Sequence, residues 1–255
     1  MKKIFSWALR HIPRKYLQLF SHIVLKVLSI FYIGKKVQCP VCGSHFRQFL
    51  PYGRVARANA LCPHCLALER HRLIWLYLKN KTDFFTSPKK VLHVAPEICF
   101  IKRFEKLHGK DYITADIESP LAKVKMDIHE VPFEANTFNV AFCNHVMEHV
   151  DDDIKAMSEL HRVLQPGGWA IIQVPFFHPI KDTTYEDPSI TDPKEREKHF
   201  GQDDHVRMYG HDYANRLRQA GFTVTEDTYV QELPEAEVAK HALPTDEIIF
   251  FCQKN

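Results

Sequence analysis

The sequence predicts an α/β fold with a mainly parallel sheet, preceded by a small cysteine-rich unit and an N-terminal helix. From residue 89 onward, apolar runs typical of strands alternate with segments of helical periodicity, and short links join them. This alternation is typical of parallel sheets with right-handed crossovers. Two further observations are a pair of Cys-x2-Cys motifs and a leading segment without acidic residues. The predicted parts are an N-terminal helical segment (1–36), a cysteine-rich unit (37–68), a linking helix (69–88) and an α/β domain (89–255).

The N-terminal segment is basic and amphipathic. No Asp or Glu precedes Glu69, and residues 1–68 contain 11 Lys and Arg, whereas the remaining 187 residues carry 23 basic and 31 acidic side chains. Gln18, His22 and Lys26 interrupt the only apolar run that approaches the length of a bilayer span. Two interpretations stay open: residues 1–36 lie on an anionic membrane surface, or they pack on the protein itself. No export signal is evident, so we expect a cytoplasmic protein, peripheral at the inner membrane face in the first case.

Four cysteines have the spacing of metal ligands. Cys39 and Cys42 form one pair, and Cys62 and Cys65 form the other. Each tight turn directs two thiolates to one point, and two such turns complete a tetrahedral Zn²⁺ site. Four thiolates fill the coordination sphere, so the predicted zinc is structural. Disulfides are the alternative, which the missing export signal disfavours. The arginines between the pairs would contact phosphates or brace the unit against the main domain.

The α/β domain shows six strand-like runs with helical patterns between them. The strand-like runs are 91–95, 112–116, 138–143, 169–174, 222–230 and 247–252, and the helical patterns are about 98–108, 151–164 and 211–220. In such sheets, ligands bind beyond the carboxyl ends of the strands, at the point where the strand order reverses. Asp116 ends the second predicted strand, where a carboxylate can accept both hydroxyls of a ribose.

A run of motif residues follows that strand. Asp127, Val131-Pro132-Phe133 and Thr137-Phe138-Asn139-Val140 reproduce most of a D-x-x-x-L-P-F-x-D-x-S-F-D-x-V pattern. Glu148-His149 follows, and Arg162 to Gly168 matches R-V-L-K-P-G-G with Gln165 in place of lysine. This run resembles the class I S-adenosylmethionine-dependent methyltransferases, in particular their small-molecule branch, and the likeness extends over about residues 89–255. The resemblance implies a Rossmann-like fold with a seven-stranded sheet, S-adenosylmethionine as cofactor, and methyl transfer.

The resemblance also implies which residues bind the cofactor. Asp116 would hold the ribose hydroxyls, Asp127 would accept a bond from the adenine amino group, and Ile128 would flank the ring. Asn144 and His145 would line the floor near the methionine moiety. The implied positions are Asp116, Ile117, Asp127, Ile128, Asn144 and His145. For each aspartate, the alternative is that it caps a turn or a helix at a strand end.

The first turn of the domain departs from the family. Where the family has D/E-x-G-x-G-x-G, this sequence has His93 at the acid position and Ala95-Pro96-Glu97 in place of glycines. All four residues belong to the predicted cofactor site. Ala95 is nearly as small as glycine, Glu97 offers a carboxylate to the cofactor's ammonium group, and Pro96 removes one backbone donor. The alternative is a catalytically inactive adaptor that retains the fold without the cofactor.

Residues 175–210 form a long connection, which we predict to be a lid over the acceptor site. The predicted acceptor contacts are His178, Asp204, His205, Arg207 and Tyr209. The alternative is that these residues hold the lid closed through their own hydrogen bonds. His149 or His205 would act as general base for a hydroxyl acceptor, because imidazole titrates near neutrality.

The favoured prediction is a methyltransferase for a small-molecule, lipid-linked or saccharide acceptor. The second is an RNA methyltransferase that binds RNA through its zinc unit. The net acidic α/β domain disfavours nucleic acid as a partner, since a phosphate backbone requires basic contacts. The third is the inactive adaptor.

Overall fold

The computed structural model describes residues 25–255. Most of the predicted membrane-binding segment 1–36, namely residues 1–24, therefore lies outside the described residues. Within residues 25–255, no helix has the length and apolar content that a bilayer span requires.

Secondary structure follows the chain as a series of short strands and helices. The strands are β1 (Ile33–Gln38), β2 (His45–Phe46), β3 (Leu50–Tyr52), β4 (Arg57–Leu61), β5 (Val91–Val94), β6 (Tyr112–Asp116), β7 (Val124–Lys125), β8 (Phe138–Asn144), β9 (Leu164–Gln173), β10 (Tyr185–Glu186), β11 (Arg207–Met208), β12 (Thr223–Asp227) and β13 (Ile249–Gln253). The helices from residue 69 onward are α1 (Glu69–Lys81), α2 (Ile98–His108), α3 (Asp153–Val163), α4 (Pro193–Phe200), α5 (Tyr213–Gln219) and α6 (Glu235–His241). The predicted linking helix thus ends at Lys81 rather than at residue 88.

The described chain divides into two compact units. The first contains residues 25–87, 97–103 and 228–247, and the second contains residues 88–96, 104–227 and 248–255. The first unit therefore includes two segments that the sequence analysis assigned to the α/β domain.

The second unit is built on one seven-stranded sheet with the order β12-β13-β9-β8-β5-β6-β7. The five strands from β9 to β7 in that order pair in parallel, and β13 is antiparallel to both of its neighbours. The predicted mainly parallel, seven-stranded sheet is confirmed. The chain builds β5, β6 and β7 outward in one direction and then returns to the other side of β5 for β8. The strand order therefore reverses between β5 and β8. Sheets of this kind bind ligands beyond the carboxyl ends of the strands at such a point.

Helix α3 shows how sequence pattern and packing agree. Asp152 caps its first turn, since its Oδ1 accepts a bond from the Lys155 amide at 2.9 Å. Its buried apolar side chains belong to the hydrophobic core of the second unit and are those of Ala156, Met157, Leu160 and Val163. Because these positions recur at helical spacing, the helix buries one face and leaves the other for charged residues.

The segment predicted as a lid, 175–210, has secondary structure of its own. Strands β10 and β11 pair antiparallel, and α4 lies between them in sequence. Asp192 caps α4 by accepting bonds from the amides of Lys194 and Glu195, and Gly201 ends the helix in a left-handed conformation with φ of 87°.

The first unit consists of two small antiparallel sheets, β1–β2 and β3–β4, with α1 and α6. A fully buried arginine, Arg72 on α1, connects these parts. Its guanidinium lies 4.3 Å from the ring centroid of Phe49 and donates to five backbone carbonyls at 2.7–3.1 Å. The acceptors are the carbonyls of Asn59, Ala60, Ala67, His241 and Ala242. A buried cation is tolerated here because its donors are satisfied.

Candidate functional site

The four cysteines predicted as metal ligands come together in the first unit. Cys39 Sγ lies 3.6 Å from Cys65 Sγ, Cys42 Sγ lies 3.8 Å from Cys62 Sγ, and all four sulfurs lie within 4.8 Å of one another. Each pair sits on a turn of the same kind. In the first turn the Gly43 amide donates to the Cys39 carbonyl, and in the second turn the residue after Cys65 donates to the Cys62 carbonyl.

This arrangement fits a tetrahedral metal ion. Four sulfurs at ~2.3 Å from a central Zn²⁺ lie ~3.8 Å apart, which matches the Cys39–Cys65 and Cys42–Cys62 separations. Hydrogen bonds among the four thiols lower the pKa of Cys42 but raise the pKa of Cys62 and Cys65, so a bound cation would have to stabilise the thiolate form of the latter two. Thiolates are the form in which cysteines bind metal.

The glycine-free turn after β5 adopts the conformation that glycine would provide. Ala95 has φ of 48°, in the left-handed region, and its amide donates to the Ala115 carbonyl at 2.9 Å. That bond ties the turn to the end of β6. Alanine is the smallest side chain that can occupy this conformation, at a cost of ~1 kcal/mol relative to glycine. The turn therefore retains its backbone geometry despite the missing glycines.

The other residues of this turn lie in different surroundings. His93 is fully buried, and its Nδ1 lies 2.7 Å from the Tyr112 hydroxyl within a cluster of aromatic rings. Pro96 is buried after the turn. Glu97 belongs to the first unit, where its carboxylate lies 3.9 Å from His71 Nε2. His93 therefore acts as a core residue, and its buried ring is not available to a cofactor.

Asp116 stands at the carboxyl end of β6. Its Oδ1 accepts bonds from the amides of Glu118 and Ser119 at 2.7 and 2.6 Å, which fixes the carboxylate. The side chain lines an open cleft of about 290 Å³, and Ile117 beside it is 55% exposed. The remaining cleft residues are Glu118, Ser119, Ala122 and Lys125. An immobilised carboxylate next to an exposed apolar side chain suits a ribose and an adjoining base.

Asp127 and Ile128 follow β7. The Asp127 carboxylate is largely exposed and accepts a bond from the His129 amide at 2.9 Å, with His129 Nδ1 at 2.8 Å. These bonds lower the pKa of the Asp127 carboxyl, so the group is ionised at neutral pH. Ile128 is 6% exposed and belongs to the core of the second unit.

The loop after β8 carries both predicted floor residues and the Glu-His motif. Asn144 is buried at the strand end, and His145 has φ of 55° with its amide donating to the Gln173 carbonyl. Glu148 is 1% exposed. Burial raises the pKa of its carboxyl, but the hydrogen bond from His145 and the charges of His145 and His149 outweigh this and lower it overall.

The two histidines predicted as general bases lie next to each other. The rings of His149 and His205 are 4.7 Å apart at 84°, although the two residues are far apart in sequence. Glu148 completes the group, because one ligand atom from each of the three residues lies within 4.8 Å of the others. In the sequence, Glu148 is recognisable only as part of a family motif. The signal available was the spacing His-x-x-Glu-His, which places three such groups on one short loop.

The residues predicted to contact the acceptor fall into two groups. His178 and Asp204 are exposed on the lid segment. Arg207 is buried and donates to the carbonyls of Met147, Val150 and Asp151, and its Nε lies 2.9 Å from Glu186.

Tyr209 is also buried. Its hydroxyl donates to Asp153 Oδ2 at 2.8 Å and lies 3.0 Å from the Met147 carbonyl oxygen. Arg207 and Tyr209 thus support the loop after β8 from within, which agrees with the alternative that these residues hold the lid through internal hydrogen bonds.

The sheet order, the reversal of strand order at β5 and the residues at the strand ends define a class I methyltransferase fold. Residues 86–172 match the protein family described as a methyltransferase domain. The matched residues, about a third of the chain, thus have the sequence pattern of a methyltransferase domain.

Two curated relatives match parts of the chain. A tRNA U34 carboxymethyltransferase from Nautilia profundicola is 31% identical over 118 residues, which is 45% of this chain and 37% of the relative. An uncharacterized protein in a transposon of Streptomyces fradiae is 28% identical over 133 residues, 51% of this chain and 36% of the relative. The chain thus spans little more than a third of the length of these relatives.

Solved structures show distant likeness. A 1,6-didemethyltoxoflavin-N1-methyltransferase from Burkholderia thailandensis, with S-adenosylhomocysteine bound, is 17% identical with a TM-score of 0.43, covering 66% of this chain and 72% of that one. The [4+2]-cyclase SpnF is 14% identical with a TM-score of 0.48, covering 92% and 94%. At these identities, neither neighbour identifies a substrate for this chain.

Proposed function

We propose that the protein transfers a methyl group from S-adenosylmethionine to a small-molecule, lipid-linked or saccharide acceptor. The observation that carries this proposal is the Asp116 carboxylate at the end of β6, beside the left-handed Ala95 turn after β5. These two strands are neighbours, and the strand order reverses beside them, between β5 and β8. A ribose-binding carboxylate and a turn that permits close backbone approach are what an adenosyl cofactor requires there.

The remaining residues suit the other parts of the cofactor. Asp127 is an exposed, ionised acceptor for an amino group, and Ile117 offers an exposed apolar surface for a ring. Asn144 and His145 lie at the end of β8, where the resemblance implies the methionine moiety. When bound, the cofactor supplies an electrophilic methyl carbon on a sulfonium, whose sulfur leaves as a neutral thioether. The chain's own contribution is to align the acceptor with that carbon and exclude water.

Binding of S-adenosylhomocysteine by calorimetry tests this proposal. Wild type is expected to bind, and Asp116→Asn is expected to bind at least 10-fold more weakly because it loses a charged acceptor. Asp111→Asn, which changes an exposed aspartate before β6, is the matched control. A folded wild-type protein that binds no S-adenosylhomocysteine would instead support the inactive adaptor.

Charge on the lid favours an acceptor without a phosphate backbone. Asp204 is exposed there, and the side chain of Glu186 is 39% exposed. Carboxylates repel the phosphate backbone of RNA, so RNA is the second candidate acceptor. The observation in its favour is that the Nautilia profundicola relative is a tRNA carboxymethyltransferase. RNA binding that weakens steeply with added salt, in the absence of liposome binding, would reverse this order.

We further propose that Cys39, Cys42, Cys62 and Cys65 hold a structural Zn²⁺. The sulfur separations support it, and the turn geometry repeats in both pairs. One zinc ion per tetrad, lost with Cys42→Ser, is the expected metal content.

We also propose that residues 1–36 bind an anionic membrane surface. In the described part of this segment, five apolar side chains are 43–67% exposed, and Lys35 and Lys36 follow them in the sequence. These apolar residues are Val27, Leu28, Ile30, Phe31 and Ile33. Exposed apolar side chains next to basic ones suit the lipid interface.

A further inference from the structure

Three metal-ligand side chains converge between the loop after β8 and the lid of the second unit. Glu148 is 1% exposed, and its Oε2 is buried with no hydrogen-bond partner in residues 25–255. His205 is fully buried, and its Nε2 is likewise buried without a partner in that range. His149 Nε2 lies 3.9 Å from Glu148 Oε1. Buried polar atoms are nearly always satisfied in folded proteins, so this cluster requires a ligand.

In both histidines, the second ring nitrogen, Nδ1, already has a backbone carbonyl as hydrogen-bond partner. His205 Nδ1 lies 3.1 Å from the Phe200 carbonyl, and His149 Nδ1 lies 3.2 Å from the Asp204 carbonyl. A carbonyl oxygen only accepts, so each Nδ1 must carry the proton and donate. When the rings are neutral, their Nε2 atoms therefore present lone pairs. Histidines that ligate metals are oriented in this way, through a bond from the other ring nitrogen to a carbonyl.

Two lone pairs and a carboxylate at close range need positive charge between them. A single proton can be shared by only two of these three groups, so protonation of His149 would leave His205 Nε2 unsatisfied. A divalent cation satisfies all three at once. The ring pair, the buried carboxylate and the tautomers thus point to the same occupant.

We propose that Glu148, His149 and His205 bind one divalent transition-metal ion. Two imidazole nitrogens and one carboxylate oxygen are a donor set that suits Mn²⁺, Fe²⁺, Co²⁺ and Zn²⁺, and three protein ligands leave coordination positions open for oxygen ligands. Ligand atoms at ~2.1 Å from one ion lie at most ~4.2 Å apart. The three groups lie within 4.8 Å, so side-chain movements of about 1 Å close the site.

His145 orients the carboxylate of this site. Its Nδ1 lies 3.4 Å from Glu148 Oε1, on the same short loop, and a donated bond there leaves Oε2 for the ion. Binding of a metal ion would use the Nε2 lone pairs of His149 and His205, which are the same lone pairs that would take a proton from an acceptor. The metal site therefore replaces the general-base role that the sequence predicts for His149 and His205.

The site is distinct from the cysteine tetrad, which belongs to the first unit and offers only sulfur. Titration of the full-length protein with Zn²⁺ by calorimetry, and with Mn²⁺ by electron paramagnetic resonance, tests the proposal. Mn²⁺ discriminates between the sites because it prefers oxygen and nitrogen to thiolate ligands. Wild type is expected to bind one ion more than His149→Gln, or to bind it at least 10-fold more tightly.

His149→Gln is the principal variant, because that side chain is 35% exposed and its replacement is expected to leave the fold intact. Glu148→Gln and His205→Gln are expected to behave in the same way. His211→Gln and Glu130→Gln change exposed residues of the same types and are expected to match wild type. Equal stoichiometry and affinity in wild type and His149→Gln, for both ions, would overturn the proposal. The assay uses no methyl acceptor or cofactor, so its outcome is independent of methyl transfer.

Discussion

Replacing Asp153 by Asn removes the negative charge at the centre of a buried ion network. Asp153 is 1% exposed, and its oxygens lie 2.6 and 2.8 Å from Nη2 and Nε of Arg216. Tyr209 donates to the same carboxylate, and Arg207 Nε lies 3.9 Å away. Loss of one partner from a buried pair leaves an uncompensated charge, which costs 3–5 kcal/mol. Arg216 is 20% exposed and regains some hydration, so we expect a cost near ~3 kcal/mol for Asp153→Asn.

The same network predicts a pH dependence. Burial raises the pKa of the Asp153 carboxyl, but bonds from Arg216 and Tyr209 and the charge of Arg207 lower it overall. The stabilisation is therefore complete above the ordinary pKa of ~3.9 and is lost as the pH falls through the lowered value. Urea denaturation of wild type and Asp153→Asn between pH 7 and pH 3 measures this stabilisation. Asp182→Asn, which changes an exposed aspartate, is the control. Equal free energies of unfolding for wild type and Asp153→Asn at pH 7 would refute the reasoning. So would a difference between them that does not shrink below pH ~4.

The remaining predictions concern the turn, the tetrad and the N-terminal segment. Ala95→Gly is expected to change the free energy of unfolding by under ~1 kcal/mol and to retain S-adenosylhomocysteine binding, because relief of the left-handed strain offsets added chain entropy. Ala95→Val, with a branched side chain at that φ, is expected to destabilise and to weaken binding; equal behaviour of the two variants contradicts this. Cys42→Ser, or removal of zinc with a chelator, is expected to lower the thermal unfolding midpoint of the protein. A midpoint unchanged by both treatments would show that the metal is not structural. Phe31→Asp is expected to weaken sedimentation with anionic liposomes, whereas Val55→Asp, at a site 85% exposed, is not; equal effects would exclude a specific contact.

The sheet and its ligand-binding edge could be predicted because they depend on local pattern. Predicted strands and helices at 91–95, 112–116 and 98–108 agree with β5, β6 and α2 to within one residue. Strand β7 was missed since two residues carry no periodicity. Strand β9 begins at Leu164, five residues before the predicted run, because a Gln-Pro-Gly-Gly sequence that resembles a turn continues the strand.

Other features depend on contacts distant in sequence. Residue type alone does not show that Arg207 and Tyr209 are buried and bind backbone carbonyls around the Glu-His loop. The same holds for Glu148, whose burial beside His205 appears only once the lid is folded. His93 occupies an acidic position of the family motif, yet its ring completes an aromatic cluster. Residue spacing in the sequence indicates the edge of the sheet at which a ligand would bind. The burial and partners of each ionisable group become known only from the structure.

The division of the chain into two interleaved units has a practical consequence. The polypeptide passes from one unit to the other after Ser87, Pro96, Arg103, Asp227 and Glu247. Neither unit is therefore a contiguous piece of sequence. A fragment that ends at Ser87 would lack the segments 97–103 and 228–247, including α6, whose last residue accepts a bond from Arg72. Expression of the isolated cysteine-rich fragment would leave that guanidinium with two acceptors missing, so truncation is a poor way to study the cysteine tetrad apart from the second unit.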